Sequence, residues 1–340
     1  MRYRRLGNSG LMVSELALGT MLFGEASDRG VAADRAEAIV TRFLDIGGSH
    51  IDLADVYAGG QAEEIVGRVI RGRRGEVVLT TKARFPTGPG PNDQGLSRYH
   101  LVQGLEASLR RLGTEAIDVF YLHAWDPVTP LEETLRALDD LVRAGKIRYI
   151  GASNLRAWQL MKALGLSDGH GWTRIVAGQY QYSLVVRDIE PEIADVCRHE
   201  GVGIVAWAPL ASGFLTGKYR RDARPTTPAA GRLATAPPDW EEAWDRRATE
   251  RNWAVLSALT SIAKRLNASA SQVAIAWLLT RPAVASVVVG VRSVDQVSSS
   301  EQALGVELSD EDVARLDSVS APPDGYPYRM LQASDRDREP

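Results

Sequence analysis

Asp52, Tyr57, Lys82 and His123 are the side chains whose types could do chemistry together, and each falls at the end of an apolar run. A free phenol has a pKa near 10, too weak an acid to give up a proton readily near neutral pH. A neighbouring ammonium stabilises the phenolate and lowers that value, each unit being about 1.4 kcal/mol. Lys82 can do this only while charged, and Asp52 is the carboxylate that could keep it so in a partly dry site. His123 can hydrogen-bond a carbonyl oxygen and orient it. The set suits proton transfer to a carbonyl oxygen, which as positioned acid catalysis gives roughly a hundred- to ten-thousand-fold. The rest of such a reaction needs a reductant held against the carbonyl carbon. Singly, each residue has an ordinary reading: a core tyrosine, a solvated edge lysine, a hydrogen-bonded structural histidine. They acquire a common purpose only if a fold gathers their strand ends.

The stretch from Gly47 to Tyr57 shows what that fold requires. Gly47 and Gly48 punctuate the start of a short buried strand, and Asp52, Asp55 and Tyr57 lie at its exit. Carboxylates there are costly to bury unpaired, so Lys82 and His123 are the expected partners. Apolar strand-like runs occur at 16–18, 51–54, 77–81, 117–123, 148–152, 174–179, 202–207 and 284–291, eight in all, with seven helix-period segments between them. Gly47, Gly113 and Gly145 stand where helices should stop, Pro130 and Pro191 where they could start. Alternation of this kind means parallel strands with crossover helices. Eight such strands match an α/β fold of the (β/α)8 TIM-barrel type. An open doubly wound sheet is the other candidate, but its Gly-x-Gly-x-x-Gly signature is missing.

Residues 3–6 and 11–13 read as an N-terminal β-hairpin around the turn at 7–10. Two Pro- and Gly-rich insertions, 85–95 and 217–240, each follow a strand, which places long loops on the C-terminal face where barrel active sites sit. Residues 1–332 read as one barrel domain and 333–340 as a charged, flexible tail.

A net charge of −3 over 340 residues offers no electrostatic case for nucleic acid or an anionic membrane. No apolar run approaches the roughly 20 residues that span a bilayer. The single cysteine, Cys197, fits a reducing compartment and reads as a packed residue. A cytoplasmic location is expected, with no metal. The expected partners are a small carbonyl compound and, at most, further copies of the chain.

The ordered motifs resemble the aldo-keto reductase superfamily. These are Gly47-x-x-x-Ile51-Asp52-x-Ala54-x-x-Tyr57, then Thr81-Lys82, then Asp118-x-x-x-x-His123, with the segments 145–154 and 208–218. The nearer likeness is to the branch with bacterial general-stress reductases and potassium-channel beta subunits, and it covers nearly the whole chain. The resemblance implies a barrel that binds NADP(H) without a Rossmann fold and reduces an aldehyde or ketone. It implies Asp52, Tyr57, Lys82 and His123 as the catalytic four, with Tyr57 as proton donor. Ser153, Asn154 and Gln179 match residues that hold the nicotinamide carboxamide, and Trp207 the aromatic on which its ring stacks. Gly19, Thr20, Met21 and Asp52 are implied beside it. Ala208, Pro209, Leu210, Ser212 and Gly213 match the segment along the pyrophosphate. Lys218, Arg232 and Arg292 match cations near the diphosphate and the 2′-phosphate, which favours NADP over NAD. Gly290, Gln296 and Ser300 complete the adenosine side. Where relatives commonly carry Glu-Asn to touch adenine, this chain has Ser299-Ser300, and weaker cofactor binding is expected. Met21, Phe23, Tyr57, Phe85 and Trp125 are candidate substrate-pocket walls, with Tyr326 or Tyr328 as further candidates. A cofactor-sensing accessory subunit with slow turnover is the second reading, and a barrel lyase or isomerase using Lys82 as a Schiff base the third.

Overall fold

The turn at 7–10 closes the expected hairpin: β1 (Tyr3–Arg5) pairs antiparallel with β2 (Met12–Ser14). The structure is a computed structural model that describes residues 1–25, 30–227, 231–238, 242–323 and 325–330. Eight parallel strands follow: β3 (Leu16–Gly19), β4 (His50–Asp52), β5 (Val78–Ala83), β6 (Ile117–Leu122), β7 (Ile147–Ser153), β8 (Ile175–Gln181), β9 (Gly203–Trp207) and β10 (Val284–Gly290). They pair in chain order, and β10 closes on β3 to complete the barrel. The expected (β/α)8 fold is therefore the one adopted.

Flanking helices cover the outer face. They include Ala33–Asp45, Gln61–Ile70, Arg98–Leu112, Leu131–Arg143 and Ala157–His170. Their ends follow from local chemistry. Ser97 caps the third of them by accepting a hydrogen bond from the His100 amide, and Gly113 ends it at φ 63°. Pro130 precedes the fourth, and Pro191 stands in a π-helical turn, Glu190–Ala194. One expectation needs correcting: the crossover from β9 to β10 holds two long helices, Glu250–Arg265 and Ala270–Leu279, rather than one. Two more, Val294–Gln302 and Asp310–Ser320, follow β10.

Alternation along the strands sorts side chains between two environments. Ala17, Val78, Val119, Tyr121, Ala177, Val205, Ala285 and Val288 fill the barrel interior. Leu6 and Val13 of the hairpin join that interior cluster, so the hairpin plugs the base. Gly7, at φ 57°, lies so close to Val176 and Gly201 that any Cβ there would strike their carbonyl oxygens. The Asn8 amide bonds the Gly201 carbonyl at 2.6 Å. Outward residues such as Ile51 and Phe120 pack under the helices. Among the described residues no helix is long and apolar enough to cross a membrane.

Both insertions leave C-terminal strand ends. The first is pinned by Gly95 N–H to the Arg84 carbonyl at 2.8 Å and Thr87 N–H to the Asp93 carbonyl at 2.9 Å. The second contains the short helix Arg232–Thr235. Pro228 and Trp240 in that insertion, and the tail from 333 to 340, lie outside the described residues.

Candidate active site

β4 ends at Asp52 and β5 at Ala83, and both Asp52 and Lys82 turn inward at the mouth of the barrel. Lys82 is fully buried. Its Nζ donates to Asp52 Oδ1 at 2.8 Å, to the Leu53 carbonyl at 2.6 Å and to the Tyr57 hydroxyl at 3.2 Å. Three donors meet three acceptors, so the ammonium is fully satisfied without water. Gln179 Nε2 donates to the same Asp52 oxygen at 2.6 Å. Burial pulls the lysine pKa down, but Asp52 and Tyr57 outweigh it, and the value lies above that of an ordinary lysine. The ammonium is charged, as the pairing with Asp52 predicts.

Tyr57 opens a short 3-10 turn, Tyr57–Gly60, in which Ala58, Gly59 and Gly60 have φ of 49°, 64° and 95°. This left-handed run turns the chain sharply after β4 and leaves the phenol against Lys82. The expectation that the lysine would lower the phenol's pKa is corrected by burial. Desolvation outweighs Lys82, and Tyr57 lies above the usual phenol value. The resting group is a neutral phenol, the form that can donate a proton.

His123 follows β6, with its ring 6.0 Å from that of Tyr57 in an edge geometry. Burial, then Lys82 and Arg84, push its pKa down to about 2. A neutral imidazole results, with Nδ1 buried and without a partner among the described residues. Phe85 packs edge-on against it at 4.7 Å.

The end of β7 ties this rim to the next strands. Asn154, at φ 58°, donates to the His123 carbonyl at 3.1 Å and to Ser153 Oγ at 2.9 Å, and accepts from Trp207 Nε1 at 3.3 Å. Ser153 Oγ donates to the Gln179 carbonyl at 2.9 Å. Ser153, Asn154, Gln179 and Trp207 are thus one connected group beside the four. Beyond Trp207, Ala208, Ala211, Ser212 and Gly213 have φ of 51°, 47°, 60° and 87°. Non-glycine residues in this region carry strain that concentrates at functional sites. The Ser212 hydroxyl is buried without a partner among the described residues. A left-handed run with an unused buried donor fits an anionic group such as a diphosphate.

Asp55 and Phe23 are placed differently from expectation, and the remaining expected residues lie as follows. Asp55 does not join Lys82 or His123. It is buried, and burial, then Glu63 nearby, raise it to about 7, against the smaller opposing pull of Arg111 and the Val56 amide. Its neighbours Glu63, Thr81 and Arg111 form their own network, with Thr81 Oγ1 and Arg111 Nε each 2.6 Å from Glu63. Phe23 is fully buried in the core and offers no wall to a pocket, whereas Met21 is exposed. Arg232 pairs with the buried Glu242 at 2.5 Å. Lys218 lies over the Tyr219 ring at 4.9 Å. The Arg292 amide donates to Gln296 Oε1 at 2.7 Å, and Ser300 Oγ to the Gln296 carbonyl at 2.8 Å. Gly19 sits at the end of β3, where a Cβ would press on Val288, and Gly290 ends β10 in open space. Thr20 Oγ1 donates to the Asp52 carbonyl at 2.8 Å. Tyr326 is exposed, and Tyr328 donates to Glu192 at 2.5 Å. Asp118 lies at the start of β6, held by Arg74 at 2.8 Å and Arg148 at 2.5 Å, a structural role at the barrel base. Cys197 is buried and its thiol pushed up to about 12, an inert packed residue.

Sequence reasoning missed two residues. Arg84 stands at the mouth, where the two-residue period from Lys82 could have found it. The Leu53 carbonyl, as a backbone acceptor for Lys82, left no trace in side-chain types.

The fold and the rim define a barrel oxidoreductase. Over residues 15–321 the chain matches the aldo/keto reductase family, and it belongs to that family. It is 38% identical over 311 residues to a probable voltage-gated potassium channel subunit beta of Arabidopsis thaliana, covering 90% of this chain and 92% of that one. An uncharacterised oxidoreductase of Bacillus subtilis is 35% identical, with 96% and 98% covered. The versiconal hemiacetal acetate reductase of Aspergillus parasiticus is 32% identical, with 95% and 98% covered. Aldo-keto reductases work with nicotinamide cofactors on small carbonyl compounds.

Proposed function

We propose that this protein is an NADPH-dependent reductase of aldehydes or ketones in which Tyr57 donates the proton. The observation that carries the reading is the Lys82 ammonium, 3.2 Å from the Tyr57 hydroxyl and held by Asp52 at 2.8 Å. When bound, the reduced nicotinamide supplies a hydride to the carbonyl carbon. Tyr57 gives its phenolic proton to the carbonyl oxygen, and Lys82 stabilises the phenolate. The neutral His123 orients the carbonyl oxygen by hydrogen bonding. Ser153, Asn154 and Gln179 hold the carboxamide, Trp207 supports the ring, and 208–213 lies along the diphosphate. Lys218, Arg232 and Arg292 favour the extra phosphate of NADP, which needs charge-assisted partners. For Arg232 this means exchanging Glu242 for phosphate.

The test is a panel of aldehydes and ketones assayed by loss of NADPH and, separately, NADH absorbance. Turnover with NADPH preferred is expected, and Tyr57→Phe should lower kcat by about a hundred- to ten-thousand-fold. Full rate in Tyr57→Phe on a good substrate refutes the proton-donor role. An accessory-subunit reading is favoured by the similarity to a protein named as a probable channel beta subunit. It predicts stable co-purification of a partner and very slow oxidation of bound NADPH.

A further inference from the structure

Arg84 lies one residue beyond the end of β5, two after Lys82, at the rim. Its Nε donates to the Trp125 carbonyl at 3.3 Å, and its guanidinium lies 5.3 Å from the centre of the Phe85 ring. Phe85 in turn packs on His123, and His123 on Tyr57. The side chain is half-buried and held from two sides. Its two Nη groups make no hydrogen bond or ion pair with any described residue. The carboxylates of the adjoining loops are already engaged. Asp126 accepts from the Leu96 amide at 2.7 Å, the Val128 amide at 2.9 Å and Thr129 Oγ1 at 2.7 Å, and Asp93 from the Gly90 amide at 2.8 Å.

We propose that Arg84 is an anion subsite for the substrate, so that the favoured substrates are aldehydes or ketones carrying a carboxylate on an apolar or aromatic body. The proposal rests on the carbonyl-reduction reading above and names its substrate class. A guanidinium stacked on one ring and tethered through Nε keeps its free edge available to a carboxylate, which it can meet with two parallel hydrogen bonds. Phe85 and Trp125 flank the same group and would contact the body between carboxylate and carbonyl. A lysine could not reproduce the arrangement, lacking both the planar stack and the fork.

The experiment compares 2-, 3- and 4-carboxybenzaldehyde with their methyl esters, using NADPH, in wild type, Arg84→Ala and Arg84→Lys. In wild type at least one acid is expected to exceed its own ester in kcat/KM by tenfold or more, mostly through KM. A hydrogen bond between charged groups corresponds to about ten- to a hundredfold. Arg84→Ala should bring the acid-to-ester ratio close to one, and Arg84→Lys should restore part of it. Losses shared equally by acid and ester belong to Phe85 losing its support, not to anion binding. A wild-type ratio near one, or an Arg84→Ala ratio unchanged from wild type, overturns the proposal. Equilibrium titration of the same acids and esters by tryptophan fluorescence separates the two readings. Acid preference in binding that depends on Arg84, with no turnover of any aldehyde, would leave the subsite standing and refute carbonyl reduction. Turnover with no acid preference would do the reverse.

Discussion

Replacing Lys82 by methionine tests the site where stability and catalysis meet. The wild-type ammonium is buried and has three acceptors within 3.2 Å. Methionine keeps the side-chain length and removes the charge. It leaves Asp52 as a buried carboxylate supported on its Oδ1 by Gln179, and breaking one partner out of a buried pair costs about 3–5 kcal/mol. The same change removes the stabiliser of the phenolate, so kcat should fall by about a hundred- to ten-thousand-fold. Adding Asp52→Asn separates the two effects, because the double variant buries no unpaired charge. Urea unfolding should show much of the lost stability recovered in the double variant, while its kcat on a good aldehyde stays low. Two results would refute the reasoning. A double variant as unstable as Lys82→Met would mean that the lone carboxylate is not the source of the penalty. A Lys82→Met enzyme at wild-type kcat would mean that the ammonium does not support the phenol.

Further predictions rest on other buried groups. Burial holds His50 at about 4 and His123 at about 2, so between pH 6.5 and 4 the unfolded chain binds two protons that the fold refuses, and stability falls with pH. Asp55, raised to about 7, acts oppositely: the fold keeps its proton where the unfolded carboxyl has lost it, so this contribution is full at low pH and lost as pH rises to 7. In Asp55→Asn, stability relative to wild type should therefore rise from pH 4 to pH 8 by about 4 kcal/mol, measured by urea unfolding; a difference independent of pH would contradict the buried, protonated carboxyl. Gly151 admits the Tyr121 ring, which a Cβ there would meet at 2.3 Å, so Gly151→Ala should cost about 1–3 kcal/mol. Tyr121→Phe, which deletes a buried hydroxyl without a partner among the described residues, should be neutral or stabilising, and a marked loss of thermal stability would reveal a partner for that hydroxyl. Ser299→Glu with Ser300→Asn should tighten NADPH binding, since longer side chains reach adenine better; unchanged affinity by fluorescence titration would reject that.

The barrel was legible because a buried parallel strand writes itself as an unbroken apolar run, and eight such runs with helices between them leave few folds to choose from. The rim was legible for a related reason. Asp52, Lys82 and His123 are polar residues at or just past the C-terminal ends of those runs, and closure of the sheet brings the ends together. What sequence could not convey was the balance of opposing effects at a single group. Tyr57 has a cation beside it and lies in a dry site, and only geometry decides that dryness prevails. Asp55 illustrates the same limit: one residue past Ala54, the chain turns it away from the mouth toward Glu63 and Arg111. Phe23 also looked like a pocket wall because aromatics near a strand end suit either side of the barrel, and spacing alone does not tell inside from outside once the strand has ended.

The plug at the barrel base has a consequence for how the molecule is made. Leu6, Gly7 and Asn8 find their resting places against Val176, Gly201 and Gly203, which are synthesised about 170 to 197 residues later. The opening segment must therefore wait, its apolar side chains uncovered, until β8 and β9 exist to receive it. Contacts so distant along the chain slow the search for the native state, and any truncation ending before β9 would leave the first strands with no seat.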